Sequence, residues 1–546
     1  MNPITDNTAL LSIATFAPLV GVLCLIFWPR DDERGIKMIG ILTAALTFGL
    51  GLAVLFTFDH GNAGTLQFFA DAEWIKFLHS NYTIGLDGIS LPLFVLSSFI
   101  TFVVMIYTWE NVPEAGNPKA FIALLLILQV GMAGTFIAQD LILFFVFFEI
   151  VLLPMYFLIG VWGGERRQYA SLKFFLYTMF GSALMLVAFV AIFIRTGSES
   201  FSFQYLAEHG GEIGRNVQIW IFAGMFVGFA VKVPMFPFHT WLPDAHTQAP
   251  TQGSVILAAI LLKLGTYGFV RIAIPMLPEG AKAFAPVLGI LAVIGIIYGA
   301  FCCLAQTDMK RLIAFSSVAH MGFTMLGIST LTTFGINAAM FGMVAHGLIT
   351  GMLFFLCGAV KHRYHTYEIA KLRGILKARP QLGWIAGFCA MASLGLPGLA
   401  GFWGEFPAIL STYNPLAEAD LSKALFRSLM IVAALGTVFA AAYLLWLYQR
   451  AYFGEPDGDG HADAHGTPHV THAVGAAVNP AVDADPAAHG HDDEEIGDVT
   501  VVEWIAWLPV LALIVAFGVY PQALFKLFDP ASENIVGHLK DYFLSR

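Results

Sequence analysis

Charge is what this chain has least of. Only 12% of its 546 residues are Asp, Glu, Lys or Arg, about half the roughly 25% of a soluble domain, so a water-soluble globular fold is excluded. Basic patches are missing too, which removes nucleic-acid binding. No G-x-G-x-x-G opens a βαβ unit, so the chain is expected to hold neither NAD nor FAD itself. The five cysteines, Cys24, Cys302, Cys303, Cys357 and Cys389, lie in apolar segments without C-x-x-C spacing, which argues against iron–sulfur ligation. Residues 1–10 have no basic n-region, so the first apolar run is expected to stay as a helix.

What replaces the charge is hydrocarbon. Hydrophobic residues make up 58% of the chain, phenylalanine alone contributes 49, and the mean hydropathy is +0.73. Apolar runs near the ~20 residues that cross a bilayer recur along nearly the whole length. Runs this continuous are helical rather than alternating. The expected fold is an all-α polytopic membrane protein of about 14 transmembrane helices. The spans fall near 9–28, 36–58, 86–108, 120–138, 141–162, 170–194, 217–238, 253–275, 284–305, 312–331, 336–359, 382–411, 425–448 and 501–524. The stretch 59–85, with Trp74, Phe77 and Leu78, is expected to lie at the interface rather than span.

An even number of spans puts both termini on one side. Sixteen Lys and Arg, Lys310 among them, follow odd-numbered spans, against ten on the opposite side. The positive-inside bias then places both termini in a bacterial periplasm. The net charge of −10 belongs to one segment: residues 454–499 hold eleven acids, six histidines and no Lys or Arg, leaving +1 for the rest. That low-complexity linker reads as a disordered loop, with transition-metal binding by its histidines as the competing reading.

A charge at the centre of a membrane helix costs about 2.5–3.5 kcal/mol on insertion scales, so the few that occur are informative. They are Glu149 ("LFFVFFEIVLLP"), Lys232 ("GFAVKVPMF"), Lys263 ("VILAAILLKLGTYGF") and Glu405 ("LGLPGLAGFWGEFP"). A buried lysine whose proton affinity depends on the distance of a carboxylate can be switched between holding and releasing a proton. Lysine and glutamate can do this where arginine cannot. Each has a bland reading: Lys232 can snorkel from its helix end, and any of the four can be half of a structural ion pair. Four together, balanced in sign, fit that reading less well.

Helix breaks lie beside two of these charges. Pro234 and Pro237 interrupt span 7, and Gly395, Pro397, Gly398, Gly401 and Gly404 interrupt span 12. Freed backbone groups inside a membrane survive only where protein or internal water satisfies them. Breaks falling fourth in spans 4–8 and fourth in spans 9–13 suggest two inverted five-helix repeats; two unrelated kinks are the alternative. The expected units are residues 1–119 (spans 1–3), 120–275 and 284–452 (the repeats), 454–499 (the linker) and 500–546 (the last span and tail). His320 ("FSSVAHMGF") and His346 ("FGMVAHGLIT") sit in apolar spans, where packing and proton transfer compete as explanations. His239, Asp244 and His246 follow the break in span 7, as gate or as helix caps. Glu110 stands at a helix end, where a solvated carboxylate is the simpler role.

These residues resemble a known family. "KVPMFPFHTWLPDAHTQAPTQGSVILAAILLKLGTYGFVR" (232–271) is closely similar to the signature of the antiporter-like membrane subunits of proton-pumping NADH:quinone oxidoreductase, respiratory complex I. "KRLIAFSSVAHMGF" (310–323) and "GLPGLAGFWGEF" (395–406) fit the same family. Multi-subunit cation/proton antiporters share much of this pattern. Glu405 stands where the L and N branches have lysine, and no long lateral C-terminal helix is expected beyond residue 525, so the resemblance is to the M branch (subunit 4). The 454–499 linker departs from the family pattern.

The resemblance implies that Glu149 and Lys232 form the pair whose separation tunes the lysine, that Lys263 is the central relay and that Glu405 is the terminal proton carrier. It implies that His320 and His346 belong to a hydrated path between them, and that Glu110 lies near the proton-input region. It also implies no cofactor or metal in this chain, with FMN, iron–sulfur clusters and quinone in partner subunits, and L- and N-type neighbours in a bacterial inner membrane. A cation/proton antiporter subunit and a scaffold of frozen ion pairs are the competing functions.

Overall fold

An apolar run in lipid satisfies its backbone as a helix, and the computed structural model of this chain follows that rule. It describes residues 4–113, 116–456 and 497–546. Among these, 12 helices are long and apolar enough to cross a membrane. The two expected spans outside that set are the two expected to break. The seventh runs as Arg215–Lys232 and resumes as Trp241–Gln248. The twelfth runs as Pro380–Ser393 and resumes as Ala400–Ser411.

Polar caps set where several helices start. Asp140 accepts from the backbone N–H groups of Ile142 and Leu143 at 2.9 and 3.0 Å, and Asp308 from that of Arg311 at 2.7 Å. Thr500 and Glu503 close a reciprocal capping box at the head of Val501–Val519. Each cap satisfies N–H groups that a helix start leaves orphaned.

Burial divides the helices into core and periphery. The most apolar window is fully buried (100%) in Met309–Ser329 and Thr333–Tyr364 and 94% buried in Thr251–Met276, against 33% in Lys423–Tyr452 and Val501–Val519. The first three therefore form the core that carries Lys263, His320 and His346. The last two keep broad faces for lipid or neighbouring chains.

The breaks are built differently. After Lys232 the chain leaves the helix, and the Trp241 indole N–H donates to the freed Val231 carbonyl at 2.9 Å. In the twelfth span, Gly395 and Gly398 take φ of +78° and +93°, a region glycine adopts at no steric cost. Gly404 then presses on Gly342 so closely that a Cβ added to it would lie 2.5 Å from the Gly342 Cα. That contact brings Glu405 up to the core helices.

Three features go beyond the sequence reading. The stretch 59–85 does not span, but it folds as an antiparallel hairpin, Gln67–Ile75 with Ser80–Leu86, so the otherwise helical fold carries one two-stranded sheet. Lys310, counted above among the loop charges, is 1% exposed in the first turn of Met309–Ser329, and its Nζ donates to the Ala249 carbonyl at 2.6 Å. The Asp308 cap starts that helix early, and the end of the resumed seventh span covers the turn.

The third is a 23-residue helix, Gln522–Leu544, after the last span. Its buried face follows helical spacing (Leu524, Leu527, Phe528, Ala531, Ile535, Leu539). It ties distant parts together: Asn337 donates to Asp529, Asn534 to the Gly64 carbonyl at 2.7 Å, and Arg546 to the Gly211 carbonyl at 2.8 Å. At ~1.5 Å per residue it runs roughly 35 Å, the length of one span and not the long lateral helix whose absence the sequence suggested. The His- and acid-rich linker lies outside the described residues except for its ends at 454–456 and 497–499.

Candidate functional site

Lys263 is fully buried, in the middle of the eighth span. Two wide π-helical turns, Leu257–Leu261 and Phe269–Ala273, flank it. Such turns loosen the regular backbone ladder and are frequent at functional sites. The Lys263 Nζ donates to the Ala258 carbonyl on the first of them and lies 2.7 Å from His346 Nδ1. An ammonium only donates, so Nδ1 accepts and the neutral His346 ring carries its hydrogen on Nε2. That Nε2 has no hydrogen-bond partner among the described residues.

His346 lines a small cavity with His320, Thr324, Thr350, Ser393 and Glu405. The space open to the centre of a water molecule is about 20 Å³, enough for one water. Across it the His346 and His320 ring centres are 6.1 Å apart. His320 Nδ1 meets Glu405 Oε1 at 2.5 Å, while its Nε2 faces Tyr443 Oη at 3.0 Å and Ser393 Oγ at 3.2 Å. Lys263, His346, His320 and Glu405 therefore form one run of polar groups, drawn from four different helices, with a single water-sized gap.

The other pair is arranged differently. Lys232, 2% exposed, ends the first half of the broken seventh span. Its Nζ has no hydrogen-bond partner among the described residues and stands 4.6 Å from the centre of the Phe148 ring. Glu149 sits on the same turn as Phe148, two residues before the fifth span is interrupted at Val151. The Ser182 hydroxyl nearby donates to its own helix, to the Met179 carbonyl at 3.1 Å. No ion pair within 4.0 Å joins the two among the described residues. Lys232 does not snorkel: it is held inward, and Gly265 on the lysine-bearing eighth span passes it so closely that an added Cβ would meet the Lys232 Cβ at 3.0 Å.

The remaining sequence candidates separate from this row. Glu110 is exposed just past the end of Ser90–Thr108 and accepts from the Thr500 hydroxyl at 2.6 Å. Asp244 pairs with Lys173 at 2.6 Å at the surface of the bundle. His239 packs edge-on against Tyr298 at 5.0 Å, and His246 stacks on Phe354 at 4.4 Å with neither nitrogen bonded among the described residues. Sequence reasoning missed Ser393 and Tyr443, because hydroxyls in membrane helices usually bond their own helix carbonyls and carry no distinguishing spacing. It also missed the buried bidentate pair of Arg363 with Glu503, at 3.0 and 2.6 Å, which ties the last span to the helix that carries His346.

Comparison with known proteins identifies the family. The family described as "NADH:quinone oxidoreductase/Mrp antiporter, TM" matches residues 138–441, the stretch that holds Glu149, Lys232, Lys263, His320, His346 and Glu405. The NADH-quinone oxidoreductase subunit M of Rhodobacter capsulatus is 39% identical over 96% of both chains. A chain of the respiratory complex I of Thermus thermophilus superposes with a TM-score of 0.80 at 28% identity, covering 97% of this chain and 99% of that one. A chain of the Mrp complex of a Dietzia species has a TM-score of 0.79 over 98% of this chain, but at 18% identity it shares the fold alone. The chain belongs to the proton-antiporter M family of transmembrane subunits, in the branch of the NADH-quinone oxidoreductase M subunits.

Proposed function

We propose that this chain carries protons across the membrane arm of an NADH:quinone oxidoreductase, driven by quinone reduction in partner subunits. The observation that carries the reading is the run Lys263–His346–His320–Glu405, with contacts of 2.7 Å and 2.5 Å at its two ends and a water-sized gap between the rings. Lysine and glutamate can each give up and take back a proton, and histidine passes one between its two nitrogens. Glu149 and Lys232 are the control: when the carboxylate is close the lysine keeps its proton, and when it withdraws the buried ammonium is driven to release it. Moving one charge against 100 mV takes about 2.3 kcal/mol, and a change in proton affinity of one pKa unit supplies about 1.36 kcal/mol. A shift of two units at Lys232 is thus of the required size.

Residues 120–275 and 284–452 act as the two half-channels, each organised around one broken helix. Supporting this, each break lies beside a titratable side chain, Lys232 in one half and Glu405 in the other. FMN, iron–sulfur clusters and quinone belong to partner subunits, and L- and N-type chains are the membrane neighbours. The setting is a bacterial inner membrane with both termini periplasmic.

The test is Lys232→Ala in the whole complex. The variant is expected to assemble with its flavin and iron–sulfur partners and to lose most of its quinone reduction and proton pumping. An assembled variant that pumps normally refutes the reading in favour of a scaffold. Purification with only small hydrophobic subunits, and no flavin or iron–sulfur chain, favours a cation/proton antiporter instead.

A further inference from the structure

The row has one gap, between His346 and His320, whose ring centres are 6.1 Å apart and which share no hydrogen bond among the described residues. A single cavity water beside His346 Nε2 has to pass its proton to His320, yet His320 Nδ1 is already committed to Glu405 at 2.5 Å. The proton must therefore arrive at the other nitrogen. Two hydroxyls face Nε2, those of Tyr443 and Ser393. Of these only Ser393 lines the cavity that His346 also lines. Ser393 is the last residue of Pro380–Ser393, at the lip of the break, and its hydroxyl turns to His320 at 3.2 Å.

We propose that Ser393 is a proton-conducting residue, the step by which the cavity water reaches His320, and that Tyr443 is a positioning residue that competes with it for the one lone pair of Nε2. The inference rests on the proton-row reading and deepens it. The donor and acceptor roles then run one way without a mismatch. Lys263 donates to His346 Nδ1, His346 Nε2–H faces the cavity water, and the water donates to Ser393 Oγ. Ser393 O–H donates to His320 Nε2, and His320 Nδ1–H donates to the Glu405 carboxylate.

One transfer is balanced. Lys263 gives a proton to His346 Nδ1 as the His346 Nε2–H passes to the water, Ser393 Oγ takes a proton from the water as its own hydroxyl proton moves to His320 Nε2, and the His320 Nδ1–H bond breaks as the Glu405 O–H bond forms; Lys263 ends neutral and His346 with its hydrogen on Nδ1. His320 ends with its hydrogen on Nε2 and Glu405 ends neutral. Reset requires the ring to return its hydrogen to Nδ1 after Glu405 has discharged. Tyr443, whose hydroxyl can donate or accept, holds the ring in place while that happens.

The test uses the assembled complex in proteoliposomes, with pumping read during quinone reduction. Ser393→Ala is expected to lower pumping roughly fivefold, the order set by one lost hydrogen bond, and Ser393→Thr, which keeps a hydroxyl, is expected to restore it. Wild-type pumping in Ser393→Ala, while Lys232→Ala in the same assay is inactive, overturns the inference and leaves the row standing. Normal pumping in both overturns the row itself. A second measurement needs no variant: nitrogen-15 resonances of His320 in the resting wild-type complex, assigned against His320→Gln. The Nδ1–H tautomer supports the inference, and a resting Nε2–H tautomer overturns it.

Discussion

The two halves of this chain each place a titratable side chain beside a broken helix, and they treat it in opposite ways. In the second half, Glu405 is bonded at once to His320, whose far nitrogen meets two hydroxyls, and the row continues across one cavity to His346, which reaches over to Lys263 of the first half. In the first half, the Lys232 Nζ has no hydrogen-bond partner among the described residues and stands 4.6 Å from the centre of the Phe148 ring. A linked row can conduct. A buried ammonium held apart from its carboxylate stores electrostatic energy instead, because its desolvation is uncompensated. Under the function proposed above, the difference is a division of labour, with the isolated pair as lever and the linked row as wire.

Substitutions can break that comparison, and the largest effect belongs to the lever, which has no substitute. Glu149→Gln keeps the size and removes the charge that Lys232 feels; pumping by the assembled complex is expected to fall tenfold or more, on the order of one pKa unit or above of lost control. Next comes the wire. Lys263→Ala is expected to cut pumping several-fold rather than abolish it, since water can occupy the vacated space beside the cavity. Lys263→Arg is expected to do worse than alanine, because a guanidinium does not release its proton. Equal losses for Glu149→Gln and Lys263→Ala would erase the distinction.

Smaller still is a packing effect. Gly404→Ala puts a methyl group onto the Gly342 backbone, where neither helix can yield easily. The expected cost is about 1–3 kcal/mol of stability, read as a lower melting temperature of the complex with partial loss of pumping. The smallest effect is at Glu110, which is exposed and accepts from the Thr500 hydroxyl. Glu110→Gln keeps a hydrogen-bond acceptor for Thr500, and pumping is expected to change less than about twofold; a larger fall would place this carboxylate inside the path.

Much of this was legible because the membrane penalises exceptions. Apolar runs give the spans within a few residues, and prolines and glycines mark both breaks. Glu149, Lys232, Lys263 and Glu405 stand out because a charge there is costly. What stayed hidden depends on three-dimensional meeting. The π-helical turns around Lys263 leave the apolar pattern unchanged, so nothing in "VILAAILLKLGTYGF" announces the Ala258 carbonyl that the lysine fills. Ser393 and Tyr443 are ordinary hydroxyl residues until three helices bring them to one imidazole. Lys310 looked like a loop charge because it follows "QTD", where Asp308 in fact caps a helix. The Gln522–Leu544 helix escaped because its charges hide it from a search for membrane spans, although its apolar residues keep helical spacing.

The central claim is that Lys263 and Glu405 are two ends of one path. It is tested most directly by proton pumping in the assembled complex carrying both Lys263→Ala and Glu405→Gln, beside each single variant. Groups that act as a unit are non-additive, so the double variant is expected to pump no worse than the poorer single one. Losses that multiply would mean two independent routes, and the single wire would have to be given up.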